Sequence, residues 1–150
     1  NGNNIYAYVH NAVAKNAGKI GVLVSLDGPK DEDFGKKLAM HIAATSPLAM
    51  SENDIDTSIV EREKNIISEQ LILEGKPADI ADKIISGKLK KFFEENTLLN
   101  QKFVMDPDIS IKKLLDNNKQ TLISFVRFKV GEGIDKKESD FAADVKDIVS

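Results

Sequence analysis

Three segments with the alternation of β-strands are spaced very unevenly along the chain, and this spacing constrains the fold more than any other feature. In residues 5–10 aliphatic side chains alternate with aromatic ones and a histidine, and in residues 20–26 every second side chain is a large aliphatic one. A third alternating segment follows only at residues 122–130. The first two segments are close enough to pair as an antiparallel hairpin, so the third must return to their sheet after a long separate stretch.

The stretch between the second and third strands has helical periodicity. Asp31 is placed to cap an amphipathic helix that Pro47 closes, and the apolar stripe of this helix can cover the sheet. Residues 59–73 and 80–93 carry two further apolar stripes, the first of which Thr57 or Ser58 can cap. The Gly-Lys-Pro connection between the two stripes is short, which makes these helices antiparallel neighbours.

Smaller elements complete the predicted fold. Residues 103–108 are expected to be irregular, residues 111–115 to form a short helix, and residues 139–148 to form a terminal helix. Alternation in the third strand places Ile123 on the same face as Phe125, Arg127 and Lys129. The predicted class is α+β: a small antiparallel three-stranded sheet packed with helices, with an inserted antiparallel two-helix coiled-coil hairpin and a C-terminal helix. The chain is predicted to divide into four parts. Residues 1–56 and 97–137 form the first and second parts of a core subdomain, residues 57–96 form the inserted hairpin, and residues 138–150 form a C-terminal module.

Composition and charge argue against several classes of function. The 150 residues carry 24 acidic and 21 basic side chains, a net charge of −3, whereas general nucleic-acid binders are normally basic. The absence of cysteine excludes disulfides and thiolate catalysis, and two histidines disfavour a His-rich metal site. No apolar run approaches the ~20 residues that span a bilayer. The sequence therefore predicts no cofactor, no metal, no nucleic-acid partner and no membrane partner.

The chemistry-bearing residues favour a binding module over an enzyme. No Walker A motif, dinucleotide fingerprint or nucleophile elbow is present. The carboxylate pairs at residues 54/56 and 106/108 are interpreted as turn or capping groups, and His41 as a hydrogen-bonded histidine flanking the core. His10 differs, because it ends a strand beside a loop and shares a face with Tyr6 and Tyr8. From the pattern alone it is either structural or simply exposed.

Seven segments together resemble the bacterial elongation factor Ts family, the nucleotide exchange factors of elongation factor Tu. The segments are YVH at 8–10, KIGVLV at 19–24, LAMHIAA at 38–44, EGKP at 74–77, ISGKLKKF at 85–92, QKFVMDP at 101–107 and FVRFKVGEGI at 125–134. Each is short, but their order and spacing across nearly the whole chain make the resemblance specific. It covers the C-terminal part of such factors: the second core subdomain, its coiled-coil hairpin and the C-terminal module.

The resemblance implies a function without catalysis by this chain: it binds elongation factor Tu and promotes GDP release. It implies that His10 reaches the GTPase domain of that partner, that the sheet packs on the partner's third domain, and that Tyr8 and Phe141 are further partner-binding residues. It also implies a cytoplasmic protein of bacteria rather than of an organelle matrix.

The chain lacks an initiator Met and the family's Thr-Asp-Phe-Val-Ala motif, so we expect a fragment that binds the partner but exchanges nucleotide poorly. The alternative hypothesis is a structural self-association module, in which the sheet and hairpin build a homodimer without exchange activity.

Overall fold

The structure, a computed structural model, describes residues 3–11 and 18–132. Within these ranges the strands are β1 (Asn4–His10), β2 (Ile20–Asp27), β3 (Lys102–Phe103), β4 (Asp106–Ser110) and β5 (Thr121–Lys129). The α-helices are α1 (Glu32–Thr45), α2 (Thr57–Leu73), α3 (Ala78–Asn96) and α4 (Ile111–Asn117), and a 3-10 turn spans Glu52–Asp54. The α+β class is confirmed, whereas the expected C-terminal helix lies outside the described residues.

The main sheet has the strand order β1-β2-β5, with both neighbouring pairs antiparallel. The strand predicted at residues 122–130, which is β5, therefore pairs with the sheet of the first two strands, as predicted. Side chains of β2 alternate cleanly, with Val22, Val24 and Leu26 buried and Leu23 exposed between them. On β1 the buried face is the aromatic one: Tyr6 is buried, whereas Ile5 is 71% exposed. One face of the sheet thus carries the core and the other is open.

Helix α1 covers the inner face of the sheet, and its sequence explains the close approach. Asp31 caps the helix by accepting a hydrogen bond from the backbone N–H of Phe34 at 3.0 Å, as predicted. Gly35 lies directly against the ring of Tyr6, whose hydroxyl accepts from the backbone N–H of Asp31 at 3.1 Å. The helix ends at Thr45, before Pro47.

A β-bulge in β5 changes which side chains of this strand share a face. Ser25 pairs with Ser124 but the next residue, Leu26, pairs with Leu122, so Ile123 is an extra residue. Ile123 is therefore exposed, whereas Phe125 packs against the core cluster on the inner face. The prediction that these two side chains share a face was wrong, because simple alternation does not anticipate an inserted residue.

The small strand pair β3–β4 replaces the irregular segment predicted at residues 103–108. Its pairing covers only Lys102 with Ser110 and Phe103 with Asp106, and a register shift separates these pairs. Strands this short leave no alternating pattern, and Pro107 is acceptable because β4 is an edge strand. The short helix α4 follows at once and places Ile111 and Leu115 in the core, as predicted.

Helices α2 and α3 pack against each other as a hairpin. The connection is a left-handed turn at Gly75, with hydrogen bonds from Gly75 N–H to the Ile72 carbonyl and from Lys76 N–H to the Leu71 carbonyl. Helix α2 buries Ile67 and Leu71, whereas Leu73, predicted in the apolar stripe, is exposed because it lies on another face. The cap of α2 is Asp56 rather than the predicted Thr57 or Ser58.

The hairpin joins the body through backbone hydrogen bonds near its base. The N–H of Leu48 donates to the Asn96 carbonyl, and the N–H of Leu98 donates to the Ala49 carbonyl. The core cluster of the body draws its described members from the main sheet, α1, α4 and the segment 98–103, and none from α2 or α3. Hairpin and body therefore bury separate apolar surfaces in the part of the chain that the structure describes.

Candidate functional site

The predicted partner-binding residues Tyr8 and His10 lie at the end of β1 on the inner face of the sheet. In the register of the sheet, Tyr8 stands opposite Val22 of β2 and His10 opposite Ile20. Tyr6, two residues earlier, is fully covered by α1, Tyr8 is half-buried, and His10 is exposed. Burial therefore falls step by step along one face of β1, and His10 stands at the open rim.

Tyr8 orients the ring of His10. The Tyr8 hydroxyl lies 2.9 Å from Nδ1 of His10, and the two ring centroids are 6.0 Å apart. The hydroxyl can either donate to Nδ1 or accept from it, and in both cases the hydrogen bond restrains the orientation of the imidazole ring. The exposed imidazole is thus held through Nδ1, which leaves Nε2 available to a partner.

The pair lines a cleft of about 520 Å³ between the end of the sheet and the C-terminal half of α1. Its floor includes Ile20, and one wall includes Met40 and Ala43 of α1. Val104 and Met105, from the turn between β3 and β4, form another part of the lining, and both are close to half-exposed. The cleft therefore combines apolar walls with a polar rim.

Two cations on β5 complete the cleft, and sequence reasoning did not select them as site residues. Arg127 stands opposite Val22, and Lys129 opposite Ile20, so they share the inner face with Tyr8 and His10. The Arg127 side chain is only 12% exposed, and its Nη1 lies 3.3 Å from Oε2 of Glu132. One sequence feature pointed to these two cations. Arg127 and Lys129 alternate along the strand after Phe125, so two positive charges were predicted on the face that also carries Phe125.

A buried polar network around His41 supports the wall of the cleft. Nδ1 of His41 accepts from the backbone N–H of Val104 at 3.3 Å, so Nε2 carries the proton and donates to Oε1 of Gln101 at 2.9 Å. Gln101 in turn donates to the carbonyl of Glu95, in the last turn of α3, at 2.7 Å. Burial lowers the pKa of His41 below its ordinary value of 6.5, opposed by the bond to Gln101. This neutral histidine ties α1 to the cleft wall and to the base of the hairpin.

The opposite, open face of the main sheet is apolar. Its exposed large apolar side chains are Ile5, Leu23, Val126 and Phe128, and Phe128 is 67% exposed. The pairing of Leu23 with Val126 places these two side chains next to each other across β2 and β5. An apolar sheet face of this kind is typical of an interaction surface.

A second, larger cavity of about 770 Å³ lies at the base of the hairpin. Its charged lining residues are of both signs, with lysines from α3, β3 and α4 beside glutamates from α3 and the 3-10 turn. Lys91 and Glu95 of this lining already pair with each other at 3.7 Å. The charged side chains of this lining therefore do not share one sign.

Three of the four carboxylates interpreted as turn or capping groups make such contacts in the structure. Asp54 accepts from the backbone N–H of Ser51, Asp56 caps α2, and Asp106 accepts from the backbone N–H of Asp108.

Among the described residues, no group of three or more His, Asp or Glu side chains is placed to hold a metal ion. Phe141, the third predicted partner-binding residue, lies outside the described residues. No helix in the described ranges is long and apolar enough to cross a membrane.

Comparison with known proteins gives a consistent family assignment. A profile described as Elongation factor TS matches residues 1–132. Similar proteins include the elongation factor Ts of Paracoccus denitrificans, 51% identical over 96% of this chain, and that of Bartonella henselae, 46% identical over 94% of this chain. In both comparisons the match covers 49% of the relative, so the chain spans about half the length of the curated relatives it matches.

Proposed function

Because this chain belongs to the elongation factor Ts family, a family of translation elongation factors, we propose that it binds elongation factor Tu and promotes the release of GDP from it. The single observation that carries the proposal is the exposed His10 ring, held by Tyr8 at the rim of a cleft within a chain of this family. A side chain that is both exposed and oriented suits insertion into a partner, because little conformational entropy is lost when it binds.

The proposed interface has two surfaces on the described part of the chain. His10 and Tyr8 contact the GTPase domain of elongation factor Tu, and the open sheet face packs on the partner's third domain. The exposed apolar side chains on that face, Phe128 foremost, supply the area that stable association needs. Phe141 is a further proposed contact, from the C-terminal segment.

The proposed mechanism needs no group transfer. An exchange factor binds the nucleotide-free partner more tightly than the GDP-bound partner, and by thermodynamic linkage it weakens nucleotide binding by the same factor. Each ~1.4 kcal/mol of difference between the two binding free energies changes nucleotide affinity about tenfold. His10 contributes to exchange only as far as its contacts differ between the two states of the partner.

The chain by itself is proposed to bind more effectively than it exchanges. Its 150 residues contain no Thr-Asp-Phe-Val segment, the second feature that members of this family direct at the nucleotide site. The cleft and the sheet face are nevertheless both present. Loss of one inserted segment removes contacts specific to the nucleotide-free state, so exchange falls more than affinity. The site of action is the cytoplasm of a bacterium.

A binding titration and a release assay test this proposal together. Fluorescently labelled, nucleotide-free elongation factor Tu is titrated with the chain, and release of fluorescent GDP is followed by stopped flow at saturating chain. We expect saturable binding, with release accelerated less than by a full-length relative. The variant His10→Ala should bind about tenfold more weakly, because an inserted side chain of this kind is worth ~1.4 kcal/mol or more.

The matched variants Tyr8→Phe and Lys36→Gln locate the effect. Tyr8→Phe keeps the ring but removes the hydroxyl that orients His10, so we expect an intermediate loss of affinity. Lys36 lies on the exposed side of α1, and its variant should bind like the parent chain. Absence of any binding at tens of micromolar chain would refute the proposal, as would an unchanged affinity of His10→Ala.

The open sheet face favours a second candidate function, self-association into a homodimer. Two copies could bury Leu23, Val126 and Phe128 against each other, as sheets do in sandwich packing. Sedimentation velocity over a range of concentrations tests this alternative, with Phe128→Ser as the variant. Dimerisation that Phe128→Ser abolishes, together with no binding to elongation factor Tu, would favour the structural module over the exchange factor.

A further inference from the structure

The cleft beside Tyr8 and His10 is electrostatically one-sided. Within the described chain its charged lining residues are Arg127 and Lys129, and no acidic side chain lines it. This local excess of positive charge stands in a chain whose net charge is −3. A cleft with cations on one side and apolar walls concentrates the attraction for an anionic group.

The sheet register places the cations and the aromatic pair on opposite sides of the same floor. Tyr8, Val22 and Arg127 form one row across the three strands, and His10, Ile20 and Lys129 form the next. Neighbouring strands are about 4.8 Å apart, so β1 and β5 are separated by about 10 Å. This width accommodates one side chain of a partner between the two sides, above Ile20.

Arg127 has hydrogen-bonding capacity that the described part of the chain does not use. Its Nη1 pairs with the exposed carboxylate of Glu132, whereas its buried Nε has no hydrogen-bond partner among the described residues. Because Nε is covered, an incoming carboxylate would meet the terminal nitrogens, and that end of a guanidinium can bind a carboxylate through two parallel hydrogen bonds. The Arg127 side chain is 12% exposed and that of Glu132 is 58% exposed, so the glutamate can turn away into solvent when another carboxylate takes its place.

The remaining walls specify what surrounds the anionic group. Met40, Val104 and Met105 present flexible apolar side chains, and thioethers adapt to irregular apolar surfaces. An aliphatic stem that ends in a carboxylate satisfies both halves of the cleft, whereas a free phosphate would leave the apolar walls uncovered.

We propose that this cleft receives a glutamate or aspartate flanked by apolar residues on the surface of the protein partner, and that Arg127 binds its carboxylate. This inference rests on the proposed function, since it names the chemistry by which the cleft beside His10 recognises elongation factor Tu. Lys129 adds a second, exposed positive charge at the rim. Glu132 acts as an internal substitute that the partner's carboxylate displaces.

If the partner's carboxylate displaces Glu132 from Arg127, substitutions at these two residues should change the affinity for the partner in opposite directions. Arg127→Gln removes the charge and the two-pronged donor, so affinity for nucleotide-free elongation factor Tu should fall about tenfold to a hundredfold. Glu132→Gln removes the internal competitor and its repulsion of the incoming carboxylate, so affinity should rise about twofold to fivefold. Arg127→Lys keeps the charge without the planar fork and should lie between Arg127→Gln and the parent chain.

The experiment is a titration of labelled, nucleotide-free elongation factor Tu with the parent chain and these variants at low and high salt. Lys36→Gln is the matched control, because it makes the same charge change on the exposed side of α1. The parent chain should lose affinity with added salt more steeply than Arg127→Gln. Thermal unfolding of each variant establishes that it is folded, and Arg127→Lys and Glu132→Gln decide the matter if Arg127→Gln does not fold.

The outcomes separate this inference from the proposed function. Binding by the parent chain that Arg127→Gln leaves within twofold overturns the carboxylate site but keeps the proposed function. Weaker binding by Glu132→Gln also overturns it, because the pair would then be a structural support. Competition by millimolar inorganic phosphate, reversed in Arg127→Gln, would assign the cleft to phosphate instead. No binding by the parent chain overturns the proposed function and this inference together.

Discussion

Replacing Gly35 by alanine should destabilise the chain, although the same change usually stabilises a helix. Gly35 lies inside α1, where alanine is favoured over glycine by about 1 kcal/mol. A methyl group at this position, however, would overlap Cγ, Cδ1 and Cδ2 of the Tyr6 ring. Tyr6 is 3% exposed and its hydroxyl accepts from the Asp31 backbone, so the ring has no room to withdraw.

The expected magnitude follows from these two opposing effects. Forcing extra volume into a packed core costs about 1–3 kcal/mol, occasionally more, and overlap with three ring carbons belongs at the upper end. After the helix-propensity gain of about 1 kcal/mol is subtracted, Gly35→Ala should lower the free energy of unfolding by about 2 kcal/mol. Gly87, inside α3, is the matched control, because none of the described atoms lies within 4 Å of an added Cβ. Gly87→Ala should therefore stabilise the chain by up to about 1 kcal/mol.

Urea unfolding followed by circular dichroism measures both variants. A third comparison, Gly35→Ala in a Tyr6→Ala background, should recover most of the loss, because alanine lacks the Cγ and the ring carbons that an added Cβ would overlap. The packing argument would be refuted by a Gly35→Ala chain as stable as the parent. A loss of the same size in the Tyr6→Ala background would refute it equally, since the cost would then not arise from the Tyr6 side chain.

Three further predictions follow from the body and the hairpin. His41→Leu should destabilise the chain at neutral pH, because it leaves the N–H of Val104 without its acceptor. Burial lowers the pKa of His41 in the folded state, so the folded chain binds a proton less readily than the unfolded chain. The parent chain should therefore lose stability as the pH falls below 6.5, and His41→Leu should lose less. Equal changes of unfolding free energy with pH in the two proteins, measured by urea unfolding, would contradict this. Asp31→Ala should lower the free energy of unfolding by about 1 kcal/mol through loss of the cap on α1, and Asp31→Asn should retain most of it; equal losses in the two variants, measured by the same assay, would count against capping. Deleting residues 57–96 and bridging the gap with a flexible linker should leave a body that unfolds cooperatively on heating, because the body's core cluster contains no described residue of α2 or α3; a non-cooperative transition would contradict the insertion.

The parts of the fold predicted from the sequence are those set by local pattern. Alternation over residues 20–26 predicted β2 and its buried face, because one side chain in two must face the core. Asp31 marked the start of α1, because few residue types can cap the N-terminus of a helix. The helical hairpin was predicted for the same reason, from two apolar stripes and a short connection.

The features that sequence did not predict depend on pairing between distant segments. The bulge at Ile123 exists only because β5 pairs with β2 at a particular register, which alternation within β5 does not contain. The cleft also depends on such pairing. Residues 8–10 and 127–129 lie near each other only because β1 and β5 both pair with β2. His10 was selected because the family resemblance implied a role for it, whereas Arg127 could be recognised beside it only from the register of the sheet. The roles of Tyr8, His10 and Phe141 in partner binding, and the predicted domain boundaries, stay predictions.

The most direct test of the central claim is the ratio of two dissociation constants, those of this chain for GDP-bound and for nucleotide-free elongation factor Tu. An exchange factor must prefer the nucleotide-free form, and linkage makes this ratio equal to the factor by which it weakens GDP. The account predicts a ratio well above one for the parent chain that falls towards one in His10→Ala. Equal affinities for the two forms of the partner, or a ratio that His10→Ala leaves unchanged, would contradict it.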